Sequence, residues 1–540
     1  MTVFAPPRWL LACVLVAAWL PVHPMAVAAQ NLLPSAPDSS LTLTFERALR
    51  VAFANNHALR SASLDVRTAD AQVREAWGSV LPSIDVTSSY TRNVVTANPF
   101  AGSDVASFLG GGGQADWVAF NERRRLDSDP ATDPITFQEF VERQNDSLRA
   151  IGVNPNASAG NPFGVDNEFL TGVQLTQTLY NGSAFSAIEG AQSFKNVSQL
   201  ARVRQRQQVA QSVYEAFYGA MLAQAQAKVA EERVQRSRET LQEITLQVKQ
   251  GTIPKYQRLS ARVQLANQKT QLIQARNNAQ RALDNLKRVL GVGADLNVAV
   301  RGALQVNDPQ RFQQVSLTQA LDIAEMQRAD LERARLNIEL QRVQKDITQA
   351  QYFPRLSAVA NFAYSGRVPD DRTSIVSDPL DPFAFQRTSS DFFADSYWNP
   401  SFSVGLQLTW NIFNGFQTSA RVQQDEIAIS QAQVQYDRLQ QTIRIEVRQA
   451  LRNLAAARQR LQAQQQNVET AQTNYRYVAQ RVRTGVSTQL ELREASDQLD
   501  QSRLNYLQAA YDLRVARASL RTALGVSLTA PAPEILTTQR

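Results

Sequence analysis

The chain has 540 residues, and its 56 Lys and Arg against 49 Asp and Glu leave a net charge of +7, too small and too dispersed to indicate a nucleic-acid partner. One Cys and two His exclude a disulfide framework and argue against a thiol enzyme or a His/Cys metal site. With 44% hydrophobic residues the chain is too apolar to be disordered, so we expect a folded protein. The sequence suggests no catalytic triad and no paired acid and base, so we expect no enzymatic activity and no cofactor.

The chain begins with the three parts of a secretory signal peptide. Arg8 precedes an apolar run over residues 9–20, and the small residues of Ala26-Val27-Ala28 then suit cleavage. A membrane anchor is the alternative, but the apolar run is too short to span a bilayer. We predict an exported protein with a signal peptide over residues 1–29 and a linker over 30–43.

The rest of the sequence is a tandem duplication. Residues of the first copy recur in the second at constant offsets of 272, 233 and 234 positions, as in the pairs Pro82–Pro354, Gly182–Gly415 and Gly251–Gly485. Constant offsets over such distances indicate a repeated fold unit. We predict a first repeat over residues 44–290, a connector over 291–315, a second repeat over 316–525 and a tail over 526–540.

The first copy carries an insertion. The fall in offset from 272 to 233 leaves 39 additional residues, which lie within about 91–170. Four glycines at 110–113 lack the Lys-Ser/Thr that a phosphate-binding loop requires. The Gly and Pro content predicts a long surface loop.

Each copy contains two windows with the period of two that is typical of β-strands. The windows lie near residues 83–95, 171–181, 355–365 and 401–413. Ser88 and Arg92 interrupt the first apolar face, and Gln177 interrupts the second. Strands of this length span a bilayer when tilted. The last window supplies the candidate lipid-facing residues, which are Phe402, Val404, Leu406, Leu408, Trp410 and Ile412.

Long amphipathic segments follow the second strand window of each copy. A helix over residues 416–484 would be about 100 Å long, far longer than helices of globular domains. An apolar heptad runs through residues 447–482, and the first copy repeats it, which is typical of a coiled coil. We predict two antiparallel helical hairpins with Gly251 and Gly485 at their tips, where a positive φ stops each helix.

Four strands cannot close a membrane barrel, because the smallest such barrels have eight. An open sheet edge is not tolerated in lipid, so the chain is expected to pool its strands with copies of itself. The alternative is a secreted or periplasmic coiled-coil interaction protein without a pore. Membrane fractionation and single-channel recording distinguish the two.

The order of these features resembles one protein family. The strand entries Leu81-Pro82-Ser83 and Phe353-Pro354-Arg355, the strand-to-helix turns Asn181-Gly182 and Asn414-Gly415, and the tip glycines follow the pattern of the TolC family of outer-membrane ducts. The resemblance implies a mixed α and β fold. Three chains, with four strands each, would form a 12-stranded outer-membrane β-barrel continued by a long α-helical coiled-coil tube in the periplasm, with residues 291–315 as an equatorial connector.

The resemblance also implies a function and partners. It implies a passive trimeric exit duct of a tripartite efflux or type I secretion system, embedded in outer-membrane lipid. The hairpin tips would dock with a periplasmic adaptor protein that is joined to an inner-membrane pump. The implied adaptor contacts are Gly251, Thr252, Gly485 and Val486. The sequence does not name the cargo, the pump or the adaptor type.

Two acidic residues follow the second tip. Glu491 and Glu494 share one helix face, and by resemblance they match the acidic positions that narrow the periplasmic entrance of related ducts. Three chains would then place six carboxylates in one ring, which attracts cations. The alternative is a solvated acidic face that Asp497 and Asp500 continue around the helix.

Overall fold

The computed structural model describes residues 41–95, 113–126, 133–154, 165–304, 316–378 and 381–528. The predicted signal peptide, most of the linker and most of the C-terminal tail lie outside these ranges. None of the described helices has an apolar stretch long enough to cross a membrane.

The first copy contains most of the elements. They are β1 (Leu41–Leu43), α1 (Phe45–Asn55), α2 (His57–Gly78), β2 (Ser83–Arg92), α3 (Gly113–Arg125), α4 (Phe137–Ala150), β3 (Asn167–Tyr180), α5 (Gly182–Lys249) and α6 (Lys255–Leu290). The short strand β4 (Val298–Val300) follows. The second copy contains α7 (Leu317–Gln327), α8 (Ala329–Gln349), β5 (Arg355–Val368), β6 (Thr373–Ser377), β7 (Phe385–Ser389), β8 (Trp398–Thr409), α9 (Gln417–Arg483) and α10 (Gln489–Ala523).

The duplication of the sequence is a duplication of structure. Helices α1 and α7 are equally long, and their first residues, Phe45 and Leu317, are related by the first of the three sequence offsets. The same offset relates Ser83 and Arg355, which begin β2 and β5. The last of the three offsets relates the ends of α5 and α9 and also the starts of α6 and α10. The same local sequence therefore stops and starts the same elements in both copies.

Contacts divide the chain into two compact units. One comprises the described residues within 1–60, 206–322 and 447–540. Its core joins helices α1, α5 and α6 to the parallel pair of β1 and β4, and its most deeply buried side chains include Leu43, Val213, Phe217, Leu286 and Leu290. The heptad positions Val447, Leu454, Leu499 and Leu513 are also buried, as the coiled-coil pattern predicts.

The other unit comprises the described residues within 61–205 and 323–446. It contains an antiparallel four-stranded sheet of order β2-β3-β5-β8. Strands β2 and β8 are its two edges, and among the described residues neither has a second neighbour.

The register of this sheet aligns apolar residues across all four strands. Val86 lies opposite Val173, Val173 opposite Phe362, and Phe362 opposite Phe402. Because side chains alternate between faces along a strand, these four share one face. The opposite face carries mostly Ser, Thr, Asn and Gln, and the neighbouring register row of Asp85, Gln174, Asn361 and Ser403 is polar throughout.

Aromatic residues collect where this apolar face ends. The Trp398 ring stacks on the rings of Phe169 and Tyr364, with centroid distances of 5.5 and 5.3 Å. Gly366 lies opposite Trp398, and a Cβ at Gly366 would collide with the indole ring. Because Gly366 has no side chain, the indole ring of Trp398 can pack directly against its backbone.

The strand expected near 401–413 ends earlier than predicted. Strand β8 stops at Thr409, whose partner Arg355 is the first residue of β5. Pro354 has no amide N–H to continue the ladder, so Trp410 and Ile412 lie beyond the strand. The Trp410 indole N–H instead donates to the Tyr352 carbonyl at 3.0 Å.

The insertion over residues 91–170 is more ordered than a simple surface loop. It contains helices α3 and α4, which pack through Phe120 and Phe140. Phe383, from the connection between β6 and β7, lies 5.2 Å from both rings, measured between centroids. The insertion folds because a residue far along the chain completes a small aromatic core, which local Gly and Pro content does not reveal.

Candidate functional site

The candidate functional residues fall into four groups: the apolar face of the sheet, the hairpin tips, the strand-to-helix turns and the acidic residues beside the second tip. Of the candidate lipid-facing residues, Phe402, Val404, Leu406 and Leu408 are on β8 and on the common apolar face. All four are at least 63% exposed in the single chain. We predict that lipid covers this face. The extension of the apolar face across all four strands supports this prediction.

Polar residues that interrupt the apolar face have hydrogen-bond partners. The hydroxyl groups of Ser88 and Thr171, which are register partners, lie 2.9 Å apart. The Gln177 amide donates to the Val80 carbonyl at 2.8 Å. The interruptions seen in the sequence therefore do not present unsatisfied polar groups on this face.

The last interruption, Arg92, stands at the end of β2. Its guanidinium forms an ion pair with Asp370 at 2.7 Å, and the hydroxyl of Tyr90 donates to Asn167. Hydrogen bonds from Asn167 and Arg92 lower the pKa of the Asp370 carboxyl. The ion pair joins the last residue of β2 to the segment that follows β5.

Both hairpin tips have the same backbone geometry. Gly251 and Gly485 have φ of 75° and 78°, and each follows a long helix. Directly after each glycine in the chain, the amide of Thr252 donates to the Gln247 carbonyl and the amide of Val486 donates to the Arg481 carbonyl. This is the Schellman arrangement that ends a helix on a left-handed glycine. All four candidate adaptor contacts are exposed.

The two strand-to-helix turns differ although their sequences match. Asn181 accepts a hydrogen bond from the Ala184 amide, and α5 begins directly at Gly182. In the second copy Gly415 and Phe416 both have positive φ, 67° and 64°, and α9 begins only at Gln417, two residues after the counterpart of Gly182. The Asn414 amide there donates to the Thr418 hydroxyl at 2.6 Å.

The acidic residues beside the second tip have unequal surroundings. Glu491 and Glu494 are both exposed on α10. Thr488 is the N-cap of this helix: its hydroxyl oxygen accepts from the Glu491 amide at 3.3 Å and its hydroxyl lies 3.3 Å from the Glu491 carboxylate. The N-cap residue therefore engages the Glu491 carboxylate, whereas no hydrogen bond or ion pair engages Glu494 among the described residues.

Asp500 is not part of a solvated acidic face. Its side chain is fully buried and forms ion pairs with Arg233, at 2.9 Å, and with Arg236. The expectation that Asp500 continues the acidic surface is therefore wrong, because two arginines of α5 surround the carboxylate. The matching position of the first copy is Ala266, which is exposed, so the duplication did not indicate that Asp500 is buried.

A second buried ion cluster lies in the other unit. Arg328, with a side chain only 1% exposed, contacts Asp330 at 2.5 Å and Glu446 at 2.5 Å. Burial alone would raise the pKa of Asp330, but hydrogen bonds and charge from Arg328 outweigh burial and hold this pKa below its ordinary value of 3.8. Among the described residues no group of three His, Cys, Asp or Glu is placed to hold a metal ion.

Comparisons with known proteins agree on one family. The sequence model described as outer membrane efflux protein matches residues 146–292 and 320–526. The chain is 25% identical over 366 residues to the alkaline protease secretion protein AprF of Pseudomonas aeruginosa, which covers 67% of this chain and 70% of that protein.

Solved structures share the fold. The Campylobacter jejuni CmeC outer membrane channel aligns with 91% of this chain and 88% of its own, with a TM-score of 0.65 and 15% identity. The outer membrane protein VceC of Vibrio cholerae aligns with 89% of this chain and 96% of its own, with a TM-score of 0.62 and 15% identity. These likenesses confirm the mixed α and β fold class with its internal duplication.

Proposed function

This chain belongs to the outer membrane efflux protein family, and from that premise we propose that three copies form one continuous duct across the outer membrane and into the periplasm. The chain is an outer-membrane channel protein of the efflux and secretion class. The proposal adds the number of chains, the closure of the barrel and the docking partners.

The sheet carries this proposal. Its four strands present one apolar face and one polar face in a single register, and its edges β2 and β8 are unpaired among the described residues. An unpaired edge is costly in lipid. Because β2 and β8 run antiparallel to each other, β8 of one chain can pair with β2 of the next and continue the alternation. Three chains then give 12 strands, an even number, which is usual for outer-membrane barrels.

The helical hairpins support the second part of the proposal. Their exposed tips, at Gly251 and Gly485, would contact a periplasmic adaptor, and through it an inner-membrane pump. The tips are suited to docking because each ends in a rigid cap whose glycine has no heavy atom within 4 Å of a built Cβ, so a partner can approach closely. A pore-less coiled-coil protein would not need the apolar sheet face.

Cross-linking tests the closure. We would place one cysteine at Thr87 on β2 and a second at Ser401, Ser403 or Gly405 on β8, all on the polar face. The single native cysteine, Cys13, lies in the predicted signal peptide. At least one pair should give a ladder of linked species that stops at three chains. A ladder that stops at another number would contradict the trimer, and no cross-linking with any pair would contradict closure through these edges.

Single-channel recording tests the duct. Purified trimer in a planar bilayer should give discrete conductance steps, and the cysteine pair that links the chains should leave those steps in place. An assembled trimer that fails to conduct would leave the β2–β8 closure standing and would overturn the open-duct function.

A further inference from the structure

A cavity of about 490 Å³ lies between the two helical hairpins of one chain, near their tips. Helices α5 and α6 form one side, and Tyr475 of α9 with the first two turns of α10 forms the other. Its volume is in the range of pockets that hold small organic molecules. Neither the family assignment nor the proposed duct gives this cavity a role.

Arginine dominates the charge around the cavity. Arg233, Arg236 and Arg493 line it, while Asp497 lines it and Asp500 lies behind Arg233 and Arg236. Three positive charges against two negative charges leave one positive charge uncompensated. Among the described residues Arg493 has no ion pair, so its guanidinium is available to an anion.

The lining also offers unused polar atoms. The Nε–H of Arg236 and the Oε1 of Gln268 are buried and have no hydrogen-bond partner among the described residues, although both side chains line the cavity. The Arg236 Nε–H is a donor that suits an anion, whereas the Gln268 oxygen is an acceptor that suits a water. Such groups are unusual in folded proteins and call for a bound water or ligand. Thr488 and Gln489, at the N-terminal end of α10, are part of the wall, and a helix N-terminus adds partial positive charge.

The remaining lining is aromatic and apolar. Tyr256 and Tyr475 face the cavity together with Ile244 and Leu492. A ligand with an aromatic ring can therefore place the ring against these side chains and its charge beside the arginines. A purely inorganic anion would leave the apolar part of the lining unfilled.

We propose that this cavity binds a small amphipathic organic anion, namely an aromatic ring that carries one carboxylate. Such a molecule touches both hairpins of the chain at once. It therefore joins them, and its binding stabilises the folded protein by an amount that grows with the logarithm of 1 + its concentration over its Kd. The site is separate from the apolar sheet face and does not depend on the duct function.

The probe is 1-naphthoate, with its neutral amide and the cation 1-naphthylmethylammonium as matched analogues. Binding to the purified protein in detergent is measured by calorimetry, with the signal of empty micelles subtracted. Because a charge-assisted hydrogen bond is stronger than a neutral one, naphthoate should bind about tenfold or more tightly than the amide, and the cation should not bind measurably.

Two variants test the location. Arg493→Gln should weaken naphthoate binding about tenfold without disturbing the Asp500 cluster, and Ser260→Trp, which fills the cavity, should abolish binding. Arg481→Gln removes the same charge from an exposed residue outside the lining and should leave the Kd unchanged.

Thermal unfolding supplies an independent measurement. Naphthoate should raise the melting temperature of the wild type and of Arg481→Gln, but not that of Ser260→Trp. Equal affinity for all three probes would overturn the proposal, because it would indicate nonspecific partition. Naphthoate affinity that Arg493→Gln and Ser260→Trp leave unchanged would also overturn it, whatever the outcome of the cross-linking and conductance experiments.

Discussion

The hydroxyl groups of Ser88 and Thr171, register partners on β2 and β3, lie 2.9 Å apart. Each residue alone interrupts the apolar alternation of its strand. Together they satisfy each other on the face that we propose to meet lipid. Two polar residues that interrupt the apolar face thus form one interaction in the structure.

Removing one hydroxyl should be worse than removing both. Ser88→Ala leaves the Thr171 hydroxyl without its partner, and Thr171→Val does the converse. Because a lone polar group in hydrocarbon is costly whereas replacing both partners is nearly neutral, we expect each single variant to lose about 0.5–1.5 kcal/mol and the double variant to recover most of it. Urea unfolding from lipid vesicles measures all four proteins. Additive losses would show that the pair is not coupled.

The two faces of β8 should respond differently to charge. Val404 lies midway along the strand on the apolar face and Ser403 lies beside it on the polar face. Val404→Arg should cost about 2–4 kcal/mol if it meets the centre of the bilayer, whereas Ser403→Arg should be tolerated in water. The yield of trimer after refolding into vesicles is measured for both variants. Equal losses would contradict the assignment of the faces.

The tip glycines should be more important for docking than for folding. Gly485→Phe adds a bulky side chain into open space and strains a left-handed residue by about 1–2 kcal/mol. We expect an intact trimer that no longer supports export. Gly485→Asn is the control, since Asn tolerates this conformation and adds less bulk. Loss of the trimer in Gly485→Phe would show that the glycine acts only as a helix stop.

The entrance hypothesis now rests more on Glu494 than on Glu491. A Glu491→Gln, Glu494→Gln double variant can keep the hydrogen bond from the Thr488 hydroxyl, because the Gln amide oxygen is also an acceptor, and it removes six charges from a trimer. The wild type should prefer cations and be blocked by multivalent cations from the periplasmic side, and both effects should weaken in the variant. Single-channel reversal potentials measure this, with Glu243→Gln, Glu469→Gln as the charge-matched control at exposed helix positions. Identical selectivity in all three proteins would remove the two residues from the entrance.

The ion cluster at Arg328 should make stability depend on pH. The pKa of Asp330 is lowered in the folded chain, so its contribution is present above the unfolded value of 3.8 and is lost as the pH falls through the folded value. Asp330→Asn leaves Arg328 with fewer partners and should cost about 3–5 kcal/mol at pH 7.

Thermal unfolding followed by circular dichroism at pH 7 and at pH 3 checks this expectation. The difference in melting temperature between wild type and Asp330→Asn should be large at pH 7 and smaller at pH 3, which lies below the unfolded value of 3.8. Arg342→Gln, which removes an arginine from an exposed i,i+3 pair on the same helix, should change little at either pH. A difference that is constant with pH would contradict a role for the Asp330 charge.

Much of this protein could be predicted from its sequence. The duplication, the hairpin tips and the four strands follow from local causes: a left-handed backbone that favours glycine, heptads that require a helical partner, and alternation that suits one buried face. These causes act within a few residues, so the sequence alone contains them.

The tertiary structure decided what depends on residues far apart in the chain. Asp500 is buried because Arg233 and Arg236 reach it from another helix, and the insertion folds because Phe383 completes its core. Strand β8 ends at Thr409 because its partner strand begins at Arg355. A polar or irregular residue looks like an interruption until its partner is known, since burial of a charge or a hydroxyl depends on the group that faces it in space.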